Sequence, residues 1–137
     1  MQLHVGATIL IIDDELLNRK LLEALLKLEG YKTCTAANAS EAFESINIRK
    51  PDLILLDIMM PGTDGYRLAE LIKGDNELSA IPIIMVTALT DRSSRLVGIM
   101  AGADDVLTKP VDRAELGLKI KNLLRLRELE VLQRERN

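Results

Sequence analysis

Four stretches of this chain end an apolar run with a residue that can do chemistry. Asp13 and Asp14 follow residues 7–12, Asp57 follows residues 53–56, Thr87 follows residues 81–86, and Lys109 follows residues 105–108. Gathered at one edge, they would place three carboxylates beside a hydroxyl and an ammonium. Ionised carboxylates crowded at low dielectric cost free energy unless a cation joins them. One lysine offsets about one of those charges, so the set suits a hard divalent ion. Oxygen donors of this kind select Mg²⁺, with Mn²⁺ as the alternative. An aspartate can also serve as a nucleophile that forms an acyl phosphate, with metal and ammonium stabilising the transferring group. Asp13 and Asp14 taken alone would fit helix capping equally well. That reading gives no reason for Asp57, Thr87 and Lys109 each to close an apolar run.

For these residues to meet, the apolar runs must be strands of one sheet. Residues 7–12 are apolar and rich in β-branched side chains, as expected of a strand buried on both faces. Leu16, Leu17, Lys20, Leu21, Ala24, Leu25 and Leu28 recur at helical spacing and predict an inner helical stripe ended by Gly30. A second strand is expected over 31–36. A helix over 40–48 follows, with Ala42, Phe43 and Ile46 facing inward. A third strand covers 53–56, and residues 60–65 read as a loop from their turn residues. Helix 66–72, strand 81–86, helix 92–101, strand 105–108 and a helix from Asp112 onward complete the pattern. Five alternations of strand and helix predict an α/β fold. Its core is a five-stranded parallel sheet in the flavodoxin-like order 2-1-3-4-5, with helices on both faces and an extended C-terminal helix. Ligands of such sheets bind outside the carboxyl ends of the strands, where the polar residues fall.

Composition narrows the function classes. The 137 residues suit one domain with a sizeable core, and 47% apolar with 28% charged residues is ordinary for a globular protein. A net charge of -3 and 2% aromatics argue against direct nucleic-acid binding or an anionic membrane surface. The single cysteine, Cys34, excludes an internal disulfide and reads as a small buried side chain. With His4 as the one histidine, no zinc site can form. Without a long apolar run or a secretory start, the chain is expected in the cytoplasm, away from membranes.

Four segments carry a resemblance: Ile-Ile-Asp-Asp-Glu at 11–15, Leu-Leu-Asp-Ile-Met-Met-Pro-Gly-Thr-Asp-Gly at 55–65, Val-Thr-Ala at 86–88, and Gly-Ala-Asp-Asp-Val-Leu-Thr-Lys-Pro at 102–110. In that order, over roughly residues 7–124, the chain resembles the CheY-like receiver domain of two-component response regulators. The resemblance implies a signalling module rather than an enzyme. Asp57 would be the phosphoacceptor, loaded from a phosphohistidine of a sensor histidine kinase or phosphotransfer protein. Asp14 and Asp57 would ligate Mg²⁺ directly, Asp13 through water, and the Met59 carbonyl would add a ligand. Lys109 would pair with the phosphoryl oxygens and Thr87 would donate its hydroxyl. The Lys109–Pro110 bond is expected to be cis, aiming the lysine inward. The expected division is a receiver over 1–124 and a helical extension over 125–137, leading to an absent output domain or effector.

Some positions depart from the family pattern. Val106 stands where the family usually carries a Tyr or Phe, which puts more of the switching on the loop after Thr87, through Ala88 and Leu89. Met59 and Leu89 flank the site and are both apolar, so neither can orient an attacking water; a long-lived phosphoryl group is expected. Asn122, Leu126, Leu129 and Gln133 form a short seam on the last helix, which predicts a signalling helix or a homodimer. Similar receivers often precede domains that make or degrade cyclic di-GMP, an analogy of fold alone. Two other readings give way. A haloacid-dehalogenase-like phosphatase needs a second acid where Met59 stands. A flavin-binding domain needs a phosphate-cradling loop where 13–15 are acidic.

Overall fold

Thr8–Ile12 (β1), Leu53–Asp57 (β3) and Ile83–Thr87 (β6) are buried at every position. Strands of that kind need cover on both faces and a neighbour on both edges. The computed structural model, which describes residues 6–60, 62–88 and 92–136, supplies both. Lys32–Ala36 (β2) and Asp105–Thr108 (β7) complete a parallel sheet in the order β2-β1-β3-β6-β7. With the hairpin strands Met59–Met60 (β4) and Thr63–Asp64 (β5) set aside, this is the expected 2-1-3-4-5 order. The helices are α1 (Leu16–Leu28), α2 (Ala39–Ile48), α3 (Gly65–Lys73), α4 (Arg92–Met100) and α5 (Arg113–Arg136).

Alternate strand residues divide the core in two. Ile9, Ile11, Leu55, Ile84 and Val86 pack with Leu22 and Leu26 of α1 and with Leu116, Ile120 and Leu124 of α5. Leu10, Ile12, Ile54, Leu56 and Met85 pack with Ala42 and Ile46 of α2 and with Leu68 and Ile72 of α3. Each fully buried aliphatic side chain stabilises the fold by about 1.5–3 kcal/mol. Among the described residues no helix is long and apolar enough to cross a membrane.

Several local expectations change. The predicted inner stripe of α1 is largely its outer one: Leu16, Leu17, Leu21 and Leu28 are exposed, while Leu22 and Leu26 are buried and Leu25 half-buried. Leucines occupy both sides of α1, so spacing alone does not choose the face. The fourth long strand starts at Ile83, after Pro82, which has no amide to give the ladder, and it includes Thr87. The expected loop at 60–65 holds the β4–β5 pairing of Met59 with Asp64 and Met60 with Thr63. Helix α2 starts at Ala39, because Asn38 Oδ1 accepts from Glu41 N at 2.9 Å while Glu41 Oε1 accepts from Ala37 N at 2.9 Å. Cys34 is half-buried with a free thiol. His4 and Leu89 lie outside the described residues.

The amino ends of the strands are pinned by paired charges. Asp52 Oδ2 accepts from Thr8 N at 2.8 Å. Arg127 of α5 donates to Asp52 O at 2.8 Å and lies 3.8 Å from the Asp52 carboxylate. Lys73 Nζ reaches Asp104 Oδ2 at 2.9 Å and Ile81 O at 2.7 Å, and Ile83 N donates to the same Asp104 oxygen at 2.8 Å. Beyond Arg127, the side chains of 128–135 are exposed.

Candidate functional site

Strand register brings the polar residues to one height. Ile12 pairs with Leu56, so Asp13 and Asp57 are the next residues of neighbouring strands. Asp57 pairs with Val86, which precedes Thr87; Thr87 pairs with Thr108, which precedes Lys109. The chain leaves β1 toward β2 on one side and continues through β3 on the other, so β1 and β3 flank the point where strand order reverses, the usual ligand crevice. Lys109 N donates to Thr87 O at 2.8 Å, which ties the turn after β7 to the end of β6. The Lys109–Pro110 peptide bond is cis.

Asp13, Asp57 and Thr87 are 1%, 4% and 2% exposed, and charged side chains are seldom that deep without partners or a metal. Oxygen atoms of Asp13, Asp14 and Asp57 all lie within 4.8 Å of one another. Lys109 Nζ is 3.2 Å from Asp57 Oδ2, a hydrogen bond, and 3.6 Å from Asp13 Oδ2, an ion pair too long to be one. Asp57 Oδ1 accepts from Met59 N at 3.0 Å, and Asp13 Oδ1 accepts from Glu15 N at 2.9 Å. Asp13 Oδ2 is buried without a hydrogen-bond partner.

Electrostatics follow from that crowding. Burial pushes the Asp13 carboxyl above its ordinary range, and the Asp57 and Asp14 charges push the same way; the Glu15 amide and Lys109 offset part of this. Burial alone would lower the Lys109 ammonium, but the charges of Asp57 and then Asp13, with the hydrogen bond to Asp57, outweigh it and raise it. The lysine is therefore firmly charged, and the carboxylates still carry more negative charge than it offsets. An orphaned buried carboxylate oxygen among oxygen donors fits a hard divalent cation at this place.

Asp13, Asp14, Asp57, Thr87 and Lys109 are thus together, as the sequence implied. Met59 is the second residue after Asp57, exposed and beside the site in β4. Pro110 and Ala88 lie at its rim, both exposed. The shift of the loop after Thr87 is expected over 87–92, of which 89–91 lie outside the described residues. Val106 is half-buried and packs on the cluster under α3 and α4. Gly98 of α4 comes close there: a methyl at Gly98 would lie 2.9 Å from Met85 Sδ, 3.7 Å from Tyr66 Cε1 and 3.8 Å from Val106 Cγ2. Asp14 does not cap α1, whose N-cap is Glu15 without a side-chain cap bond. Residue types did not single out Arg19, which donates to Asp13 O at 2.6 Å; only the fold shows an arginine six residues later turning back. A cavity of about 230 Å³ opens from Asp13 and Lys109 toward Leu21, Leu22 and Leu25 of α1.

Comparison with known proteins agrees with this geometry. The family model described as the response regulator receiver domain matches residues 9–121. The phosphate regulon transcriptional regulatory protein PhoB of Pseudomonas aeruginosa is 46% identical over 121 residues, covering 88% of this chain and 53% of that protein. Response regulator PleD of Caulobacter vibrioides is 40% identical over 133 residues, covering 96% of this chain and 29% of that protein. The crystal structure of a two-component response regulator from Clostridium difficile superimposes with a TM-score of 0.81 at 33% identity, covering 88% of this chain and 97% of that one. The chain thus spans about half of PhoB and less than a third of PleD.

Proposed function

The chain belongs to the response regulator receiver domain family, and from that premise we propose that Asp57 accepts a phosphoryl group from the phosphohistidine of a sensor kinase or phosphotransfer protein. The observation that carries this reading is charge left over: three carboxylates lie within 4.8 Å of one another, one lysine pairs with two of them, and one buried oxygen has no hydrogen bond. Asp13, Asp14, Asp57 and the Met59 carbonyl are the groups that would hold a divalent cation, Mg²⁺ by the hardness of its donors and Mn²⁺ as a substitute. When bound, that cation supplies positive charge against the charge spread over the equatorial oxygens of the transferring group.

The chain's own residues divide the remaining work. The Met59 amide anchors Asp57 Oδ1, which leaves Oδ2 as the oxygen that bonds phosphorus. The phosphorus–nitrogen bond of the donor imidazole breaks, and its electron pair stays on the leaving nitrogen. Lys109, already 3.2 Å from Oδ2, follows the phosphoryl oxygens. Thr87, at the end of β6, donates its hydroxyl to one of them. Thr87 and Ala88 with Leu89, and Val106 and Pro110 on the neighbouring strand end, carry the change outward. The leucines of α1 beside the cavity give the donor protein an apolar place to dock. The module works in the cytoplasm, and its partners include an output domain or effector. A homodimer would form through Asn122, Leu126, Leu129 and Gln133, on the side of α5 away from Leu116, Ile120 and Leu124; sedimentation velocity that finds only monomers at high concentration would remove that partner.

Intact mass after incubation with acetyl phosphate and Mg²⁺ tests the central reaction. One added phosphoryl group, absent in Asp57→Ala, is expected; the same gain in the variant sinks the assignment. Met59 and Leu89 predict slow hydrolysis, so Met59→Asn with Leu89→Glu should shorten the phosphoryl half-life by roughly tenfold; an unchanged half-life removes their role.

A further inference from the structure

The polar atoms of Asp13 are held one by one. Its amide donates to Ala36 O of β2 at 3.0 Å. Its Oδ1 accepts from Glu15 N at 2.9 Å. Its main-chain carbonyl accepts from Arg19 Nη1 at 2.6 Å. With those three fixed, Oδ2 faces Lys109 at 3.6 Å and has no hydrogen bond. The first two anchors follow from the strand and the turn. The third depends on a single half-buried side chain of α1.

Arg19 also closes a ring. Its amide donates to Glu15 O at 3.0 Å, within the first turn of α1, while its side chain returns to Asp13. Asp14 lies inside that ring. The Asp14 carboxylate is exposed and makes no side-chain hydrogen bond among the described residues, so its direction is set by the backbone that carries it. Helix α1 has no side-chain N-cap at Glu15 to hold that backbone in another way.

We propose that Arg19 is a positioning residue of the acidic site: by holding the Asp13 carbonyl it keeps the Asp13–Glu15 turn in the shape that lets Asp13 and Asp14 converge on a divalent cation. The inference rests on the reading of the site as a cation site and adds a residue that does not touch the cation. Two effects of opposite sign attach to this arginine. Its charge repels a cation, and its hydrogen bond organises the ligands. Arg19 is half-buried and so still meets solvent, which screens the repulsion, whereas the bond acts directly on the segment that bears two ligands. Organisation therefore outweighs repulsion.

Mg²⁺ titration of the full chain, followed by calorimetry and by the Asp14 amide resonance, separates the outcomes. Arg19→Met is expected to bind Mg²⁺ roughly tenfold more weakly than the parent. Arg19→Lys, which keeps the charge and one donor, should recover most of that loss. A role in stability alone would lower the melting temperature of Arg19→Met and leave the Mg²⁺ affinity where it was. Affinity within twofold of the parent, or tighter, overturns the proposal. If Arg19→Met does not fold, Arg19→Ala, which also has no donor, carries the same test with the same limits. A parent protein that binds no Mg²⁺ overturns the cation reading itself, and this inference with it, a result distinct from equal binding by parent and variant.

Discussion

The two ends of the sheet use the same residue types to opposite effect. At the amino ends, Asp52 meets Thr8 N and Arg127, and Asp104 meets Ile83 N and Lys73, so each carboxylate has an amide and a cation of its own. At the carboxyl ends, Asp13 and Asp57 share Lys109 with Asp14 close beside them, and Asp13 Oδ2 is buried without a hydrogen bond. Satisfied pairs hold the strands in register. Unsatisfied ones hold a position open for a cation and a phosphoryl group, at a cost in stability that the other end and the core offset. An aspartate is therefore informative here less by its burial than by what its oxygens lack.

Exchanging the two lysines would break this contrast most sharply. Lys109→Met should slow phosphoryl uptake from acetyl phosphate by roughly 100-fold. Lys73→Met should leave uptake by the folded protein unchanged and lower stability by about 1–3 kcal/mol. If both variants lose stability and neither loses rate, the two ends do not differ in kind. A smaller effect concerns Asp13. Its folded carboxyl is raised, so the folded state holds a proton that the unfolded state has released, and this group's contribution falls as pH climbs from the ordinary carboxylate range through the folded value. Without divalent cations at pH 7, Asp13→Asn should therefore melt higher than the parent, by roughly 3–5 °C. The difference should close near pH 4 and shrink when Mg²⁺ is added to the parent. A variant that melts lower at pH 7 contradicts the account of crowded charge. The smallest effect is expected for Arg127→Ala, about 1 kcal/mol or less in urea unfolding with phosphoryl uptake intact; slowed uptake would mean that the two ends communicate.

Much of this was legible from residue order. Three strands buried on both faces, each ending in or followed at once by a polar residue, fix a parallel sheet and the edge where the site lies, because strand ends in such a sheet share a height. The face of α1 was not legible. Leu17, Leu21 and Leu28 have the spacing of an inner stripe, but Leu22 and Leu26 are the ones the sheet accepts, and pattern alone cannot choose between two apolar sides. The β4–β5 pairing was hidden for another reason: Gly62 and Gly65 signal a turn without saying that two residues on either side will pair. Arg19 was hidden because its partner is a main-chain carbonyl, which every residue carries.

Helix α5 is held to the body of the protein at Arg127 and continues to Arg136. Its last nine residues, 128–136, at about 1.5 Å each make an arm of about 13 Å beyond that anchor. A cantilever of this length turns a rotation of about 10° at the anchor into a tip displacement of about 2 Å. A rearrangement too small to disturb the sheet would thereby arrive at the far end of the helix as a step large enough to change which side chains meet there.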